Sequence, residues 1–336
     1  MTTRVTLKRT LIACGLLALT LVFAVVLMSL IGSESLPPRA SLCALASLGM
    51  SQCGLGRDQY DILFQIRLPR ILLAAAVGGS LATAGASYQA LLRNPLAEPY
   101  LLGVSNGAAV GTMIALVFFG ASEWSRPVLA FAGALIATLA VYQLARGRAG
   151  ATPERLVLAG VIVTTFLSSV IVFVTTLMDA TRIRSFTFWL LGDLSGTTKT
   201  LLPVAVAISV VGTIALTLNA RSLNLLMLGE RDAFDLGVEV RRVRIIVFVV
   251  ASLLVGSSVA ASGSVGYVGL VVPHLVRLSL GSDNRISIPA AALGGALFVI
   301  VADTVARTII APRELPVGAI TALIGAPLFI YLLKRV

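Results

Sequence analysis

Long apolar runs recur along this chain, each closed by a cluster of charge, proline or glycine. They cover 11–31, 68–92, 96–119, 127–145, 155–178, 200–219, 243–261, 265–281, 287–308 and 315–333. A helix needs about 20 consecutive apolar residues to cross the hydrocarbon core of a bilayer. The pattern therefore predicts an all-α polytopic membrane protein with about ten transmembrane helices. Two of the runs carry interruptions, around Asn94-Pro95 and at Pro273. Such breaks predict partial helices held inside a bundle, because irregular backbone at membrane depth must be shielded from lipid.

Composition agrees with the pattern. Hydrophobic residues make up 57% of the 336 residues and charged residues only 12%, with a mean hydropathy of +0.98. A soluble domain carries about 25% charged residues, so this chain lacks the polar side chains to wet its own surface. Residues 1–336 read as one transmembrane domain, with 219–242 as a polar insertion on one face. The first run follows Arg4, Lys8 and Arg9 and is longer than the apolar core of a secretory signal, so it reads as a retained helix.

The net charge of +11 does not point to nucleic acid, since the basic residues are scattered among the loops. They act instead as topology signals. With the N-terminus inside, Arg4, Lys8, Arg9, Arg93, Arg146, Arg148, Arg155, Arg221, Arg231, Arg241, Arg242, Arg244, Arg285, Lys334 and Arg335 fall on the cytoplasmic side, and both termini are expected there. Arg39, Arg57, Arg67, Arg70, Arg126, Arg182, Arg184, Lys199, Arg307 and Arg313 fall outside, more than topology alone explains.

Arg67-Leu-Pro-Arg70 opens one run and Arg241-Arg-Val-Arg244 opens another five helices later, each followed by a small-residue helix and a proline break. The two units would enter from opposite sides, the arrangement of an inverted repeat, although similar charged caps also arise at unrelated helix starts. Gly78, Ala82 and Ala86 form a small-residue stripe suited to close helix packing. Cys43 and Cys53 share one outer loop, where a disulfide is chemically allowed; spacing does not decide it, and two free thiols are the favoured reading.

Catalytic constellations are missing from the sequence. There is one histidine, His274, which reads as structural, no metal-ligand spacing, and no Gly-x-x-x-x-Gly-Lys-Ser/Thr phosphate loop. The chain is not expected to be an enzyme, nor to bind a cofactor or metal. Glu98, between Pro95 and Pro99, is either a functional ionisable group or a helix-end cap. The polar stretch 219–244 contains a short helix bracketed by Gly229 and Gly237. Glu230 and Asp232 suit its start, where the helix dipole favours negative charge, and Gly237 suits a left-handed C-terminal cap. Ala233, Phe234 and Leu236 give this helix an apolar side that a peripheral partner could grip, or that packs on the bundle itself.

Several stretches together resemble a known family. Asn94-Pro-Leu-Ala-Glu-Pro99 with Leu102-Gly-Val-Ser-Asn-Gly107 is similar to a signature of the FecCD-type permeases of ATP-binding-cassette importers for iron chelates, haem and cobalamin. So are Leu228-Gly-Glu through Leu236-Gly-Val, Gly266-Tyr-Val-Gly-Leu-Val-Val-Pro-His274, Ala302-Asp-Thr-Val-Ala-Arg307, Glu314-Leu-Pro-Val-Gly318 and Gly325-Ala-Pro327. The resemblance runs from Arg67 onward.

It implies a type II importer subunit in the bacterial cytoplasmic membrane, working as a homodimer. ATP and magnesium would be bound by a separate cytoplasmic ATPase dimer, and cargo would arrive on a periplasmic or lipid-anchored binding protein. It further implies that Leu228, Gly229, Glu230, Ala233, Phe234, Leu236 and Gly237 couple to the ATPase, and that Arg67, Arg70 and Arg307 dock the binding protein through carboxylates. Asn94, Pro95, Leu96 and Thr152 would form the inner gate. Phe186 and Trp189 would flank the outer vestibule, or sit at the membrane interface where Trp is common. The competing class is an ion-coupled secondary transporter, which needs acidic residues near mid-membrane; Glu98 and Asp303 are the nearest candidates.

Overall fold

The computed structural model describes residues 7–119, 124–147, 150–196 and 201–334. Arg4, Arg148, Lys199 and Arg335 of the charge pattern lie outside them.

Among the described residues seven helices are long and apolar enough to cross a membrane: Lys8–Leu30, Arg57–Leu91, Ser125–Ala145, Pro153–Thr175, Leu201–Leu218, Val240–Ser262 and Asn284–Thr308. Three shorter apolar helices, Val104–Phe119, Val268–Leu280 and Val317–Leu332, complete the ten that hydropathy predicts. In chain order the helices are α1 (Leu7–Leu30), α2 (Pro38–Ala46), α3 (Arg57–Asp61), α4 (Leu68–Leu91), α5 (Val104–Ile114), α6 (Ser125–Ala145), α7 (Pro153–Thr175) and α8 (Ala180–Leu190). Then come α9 (Leu201–Leu218), α10 (Ala220–Leu228), α11 (Glu230–Asp235), α12 (Val240–Ser262), α13 (Val268–Leu280), α14 (Asn284–Thr308) and α15 (Val317–Leu333). The one strand pairing among the described residues is a two-residue antiparallel ladder, Arg146–Gly147 with Gly150–Ala151.

Two features differ from the sequence reading. Residues 57–67 look like a charged loop, yet α3 and a π-helical segment, Ile62–Arg67, run without a break into α4. At about 1.5 Å per residue the combined helix is about 52 Å long, well beyond a hydrocarbon core of about 30 Å. Its first turns therefore extend past the bilayer or tilt within it. Cys43 and Cys53 are joined in a disulfide, which closes a small separate core of Leu36, Ala44, Leu55 and Leu63 beside that helix.

The centre of the bundle is α4, whose residues from Leu73 onward are almost all buried. It packs on α14 through the small-residue stripe. A Cβ on Gly78 would lie 2.1 Å from the Gly295 carbonyl oxygen, and one on Gly85 would lie 1.9 Å from that of Gly269. Side chains at these points would hold the backbones apart, so close packing here depends on their absence. By contrast α1 is peripheral, with Leu11, Leu16, Leu19 and Phe23 all exposed as a lipid-facing helix requires.

Both broken spans are interrupted by non-helical backbone. After α4 the chain makes a 3-10 turn, Pro99–Leu102, before α5 begins; after α12 the irregular residues 263–267 precede α13. At about 20 Å, α13 is too short to cross by itself. The two breaks meet. The Tyr100 hydroxyl donates to the Val265 carbonyl at 3.1 Å and accepts from the Val265 N–H at 3.0 Å, and a Glu98 carboxylate oxygen accepts from the Tyr267 N–H at 3.1 Å. Side chains thereby satisfy backbone groups that lipid cannot. α4 with α5 and α12 with α13 thus form two helix–break–helix units that run in opposite directions and touch at their breaks, as an inverted repeat requires.

Candidate functional site

Two polar assemblies sit at opposite ends of the bundle. One gathers the C-terminal end of α1, the N-terminal end of α4 and the C-terminal end of α14. The Arg70 guanidinium grips Asp303, with Nε at 3.0 and 3.1 Å from its two oxygens and Nη2 at 2.9 Å from Oδ1. Arg70 Nη1 reaches Glu314 at 2.7 Å. Arg307 Nε lies 3.1 Å from Asp303 Oδ2 as an ion pair, off the line of a hydrogen bond. Arg67 donates to the backbone carbonyls of Ser29, Leu30 and Glu34.

This corrects the docking expectation for Arg67, Arg70 and Arg307. Their exposures are 4%, 7% and 6%, and each guanidinium is taken up by partners inside the chain. In this conformation they hold α1, α4 and α14 together and offer no surface to a partner's carboxylate. What lies open at this end is a cleft of about 170 Å³ lined by Arg70, Phe188, Asp193 and Glu314. Arg39, Arg57, Arg182 and Arg313 are exposed.

Phe186 and Trp189 also need correction. They are stacked with ring centroids 6.4 Å apart and are 2% and 4% exposed, so they pack in the core and line neither a vestibule nor the interface. The outward positions of α8 are Arg182, Arg184 and Phe188, with the Arg184 guanidinium over the Phe188 ring.

The opposite end carries the short helix α11. Its C-terminus closes as a Schellman motif: the Gly237 N–H donates to the Phe234 carbonyl and the Val238 N–H to that of Ala233, both at 2.9 Å. Gly237 takes a φ of +83°, which side chains rarely adopt. Phe234 on α11, Leu236 at its C-cap and Leu228 at the end of α10 are 72%, 60% and 67% exposed, so the helix and its two flanks present three bulky apolar side chains. Ala233 does not belong to that face; at 0% exposure it is the contact that seats the helix on the bundle.

Several charges converge on α11. A Glu230 carboxylate oxygen accepts from Arg244 at the start of α12 and lies 3.6 Å from Arg93 Nη2, just after α4. Next to Arg93, residues Asn94, Pro95 and Leu96 are exposed at this same end, while Thr152, the N-cap of α7, is half-buried. Asn224 of α10 donates to Asp283 at 2.7 Å and accepts from the Asn284 side chain at 2.8 Å, tying α10 to the start of α14.

Arg93 and Arg244 were visible in the sequence only as topology charges. The available signal was position, since Arg93 abuts Asn94-Pro95 and Arg244 closes the second charged cap. His274 packs edge-on to Phe329, 6.4 Å between centroids. Among the described residues, no group of three or more His, Cys, Asp or Glu side chains could hold a metal ion.

The sequence matches the FecCD transport family over residues 19–335. It is 44% identical over 283 residues to the cobalamin import system permease protein BtuC of Halobacterium salinarum, covering 84% of this chain and 76% of that one. It is 42% identical over 281 residues to the hemin transport system permease protein HmuU of Yersinia pestis, covering 82% and 84%. Its fold superposes on a solved inward-facing conformation of a metal-chelate type ABC transporter with a TM-score of 0.83 and 31% identity, over 97% of this chain and 100% of that one. With ten apolar helices among its described residues, two interrupted spans that meet at their breaks and a match across nearly its whole length, this chain is a multi-pass membrane protein that belongs to the FecCD transport family.

Proposed function

We propose that this chain is the membrane-spanning subunit of an ATP-binding-cassette importer that moves a metal chelate (ferric siderophore or haem) or cobalamin into the cytoplasm. The observation that carries the reading is α11, an exposed apolar knob of fixed shape joined by ion pairs to α12 and to the residues after α4. Single exposed apolar side chains are ordinary, but Phe234 on α11 with Leu228 and Leu236 at its two flanks forms a compact apolar patch that suits a hot-spot contact with a peripheral protein. That partner is a cytoplasmic ATPase dimer carrying ATP and magnesium, acting on a homodimer of this chain that forms a single transmembrane domain over residues 1–336. A periplasmic or lipid-anchored binding protein delivers the cargo.

Orientation has two supports. The knob end carries Lys8, Arg9, Arg221, Arg231, Arg241 and Arg242, which favours the cytoplasmic side of a bacterial inner membrane, with both termini inside. The opposite end holds the Cys43–Cys53 disulfide, which favours an oxidising exterior. Asn94, Pro95, Leu96 and Thr152 then line the inner gate. Glu98 and Asp303 are both committed to internal partners, which gives ion coupling little to work with.

The test is reconstitution in vesicles with the ATPase and the binding protein, offering cyanocobalamin, haemin and ferric siderophores in parallel. Uptake of one class should require ATP and survive a protonophore. Uptake that a protonophore abolishes while ATP is held constant would contradict the reading.

A further inference from the structure

The gate segment is strung between two anchors. At one end Arg93 approaches Glu230 of the knob, and at the other Glu98 holds the Tyr267 N–H at the start of α13. Between them the backbone is a compact turn. Arg93 adopts a φ of +50°, the Asn94 N–H donates to the Gln89 carbonyl at 3.1 Å, and the Asn94 side chain accepts from the Leu96 N–H at 2.9 Å. A left-handed residue followed by an Asx turn leaves little slack. A displacement at Arg93 is therefore carried to Leu96 instead of being absorbed.

Glu230 faces a specific set of groups. Arg244 comes from α12, Arg93 from the end of α4, and Asp232 lies on its own helix. One carboxylate on the knob thus meets the charge that borders the proposed gate residues Asn94, Pro95 and Leu96. The Arg244 side chain is 12% exposed and the Arg93 side chain 40%, so the first contact is sheltered and the second is open to remodelling.

We infer that Glu230 is a positioning residue for transport: its carboxylate clasps Arg93 and Arg244 so that movement of the knob repositions the gate segment 93–98. This rests on the importer reading above. It differs from ATPase docking, which the exposed apolar Phe234 of the same helix performs with Leu228 and Leu236 at its flanks. The clasp faces the bundle, and the apolar face looks away from it.

The experiment reads the gate without needing the cargo. In a Cys14→Ser background, Leu96→Cys supplies a reporter thiol at an exposed position, with Cys43 and Cys53 held as a disulfide. Maleimide labelling of that thiol is timed in the complex with its ATPase, with and without MgATP and vanadate. Glu230→Gln, Arg93→Gln and the double variant are then compared, with ATPase retention measured in parallel. Each single change should shrink the nucleotide-dependent change in labelling rate about two- to fivefold, the scale of one open ion pair. The double variant should lose no more than Glu230→Gln alone, because Arg93→Gln removes a link that Glu230→Gln has already broken.

Unchanged labelling, additive losses, or loss of the ATPase from the Glu230→Gln complex would each overturn the clasp. A parent complex whose labelling ignores nucleotide altogether would instead overturn the importer reading, so the two failures are distinguishable.

Discussion

The buried charge cluster at the disulfide end makes a sharp energetic prediction. Asp303→Asn keeps the size of the side chain but removes a charge that two guanidiniums share, and both guanidiniums are less than a tenth exposed. Breaking a buried pair by removing one partner costs about 3–5 kcal/mol, because the remaining charge is stranded. Here two cations would be stranded, with Glu314 left as the nearby counter-charge at 2.7 Å from Arg70. Glu314 is 44% exposed and bonded to Arg70 alone, which places the expected cost at the lower end, about 3 kcal/mol. A chain of this size loses about 2 °C of melting temperature per kcal/mol, so the shift should be about 6 °C in detergent or nanodiscs. Adding Arg307→Gln to Asp303→Asn restores charge balance and should recover part of the loss, a non-additivity that contact between the residues demands. Refutation is direct: a shift under about 2 °C, or an Arg307→Gln change that worsens Asp303→Asn, would mean the cluster does not hold the helices. By the same logic, reversing Arg67 or Arg70 to Glu should damage folding as well as any docking.

Two further predictions address packing and pH. Gly85→Ala should lower melting temperature and yield, because its Cβ would meet the Gly269 carbonyl at 1.9 Å; Gly15→Ala, with nothing within 4 Å, should change neither. Equal effects of the two would refute the α4–α13 contact. The Arg285 guanidinium, together with backbone and Asn224 donors, holds the Asp283 carboxyl down to about 2 from 3.8. A depressed carboxyl stabilises the fold above its unfolded value and loses that contribution as pH falls from about 4 toward 2. The stability difference between the parent and Asp283→Asn should therefore close over that window, and a gap that stays constant or widens would contradict the pairing.

Much of this fold is legible in the sequence because a bilayer imposes a simple rule. Apolar runs bounded by Arg, Pro or Gly mark helices, and the ten predicted spans match the seven long and three short helices. The knob is legible too, since Gly229 and Gly237 bracket it and a Schellman closure needs glycine at 237. Partner choice is not legible. Arg70 and Asp303 lie 233 residues apart in sequence, and an arginine at a helix start looks the same whether it faces solvent or a buried carboxylate. The helix at 57–67 is hidden by its charges, which hydropathy reads as a loop although the segment continues directly into α4. Phe186 and Trp189 mislead in the opposite way: aromatic residues near a helix end suggest an interface, and only the packing of α8 shows them turned inward.

The central claim is that the helix between Gly229 and Gly237 is where the fuel-burning partner takes hold. Phe234→Glu with Leu236→Glu tests it, because both side chains are exposed and their replacement leaves the bundle intact. Co-purification of the ATPase and ATP-driven uptake are measured on the same preparation. The account predicts a normally inserted, normally stable chain that retains no ATPase and imports nothing. An ATPase that remains bound, with uptake undiminished, would contradict it.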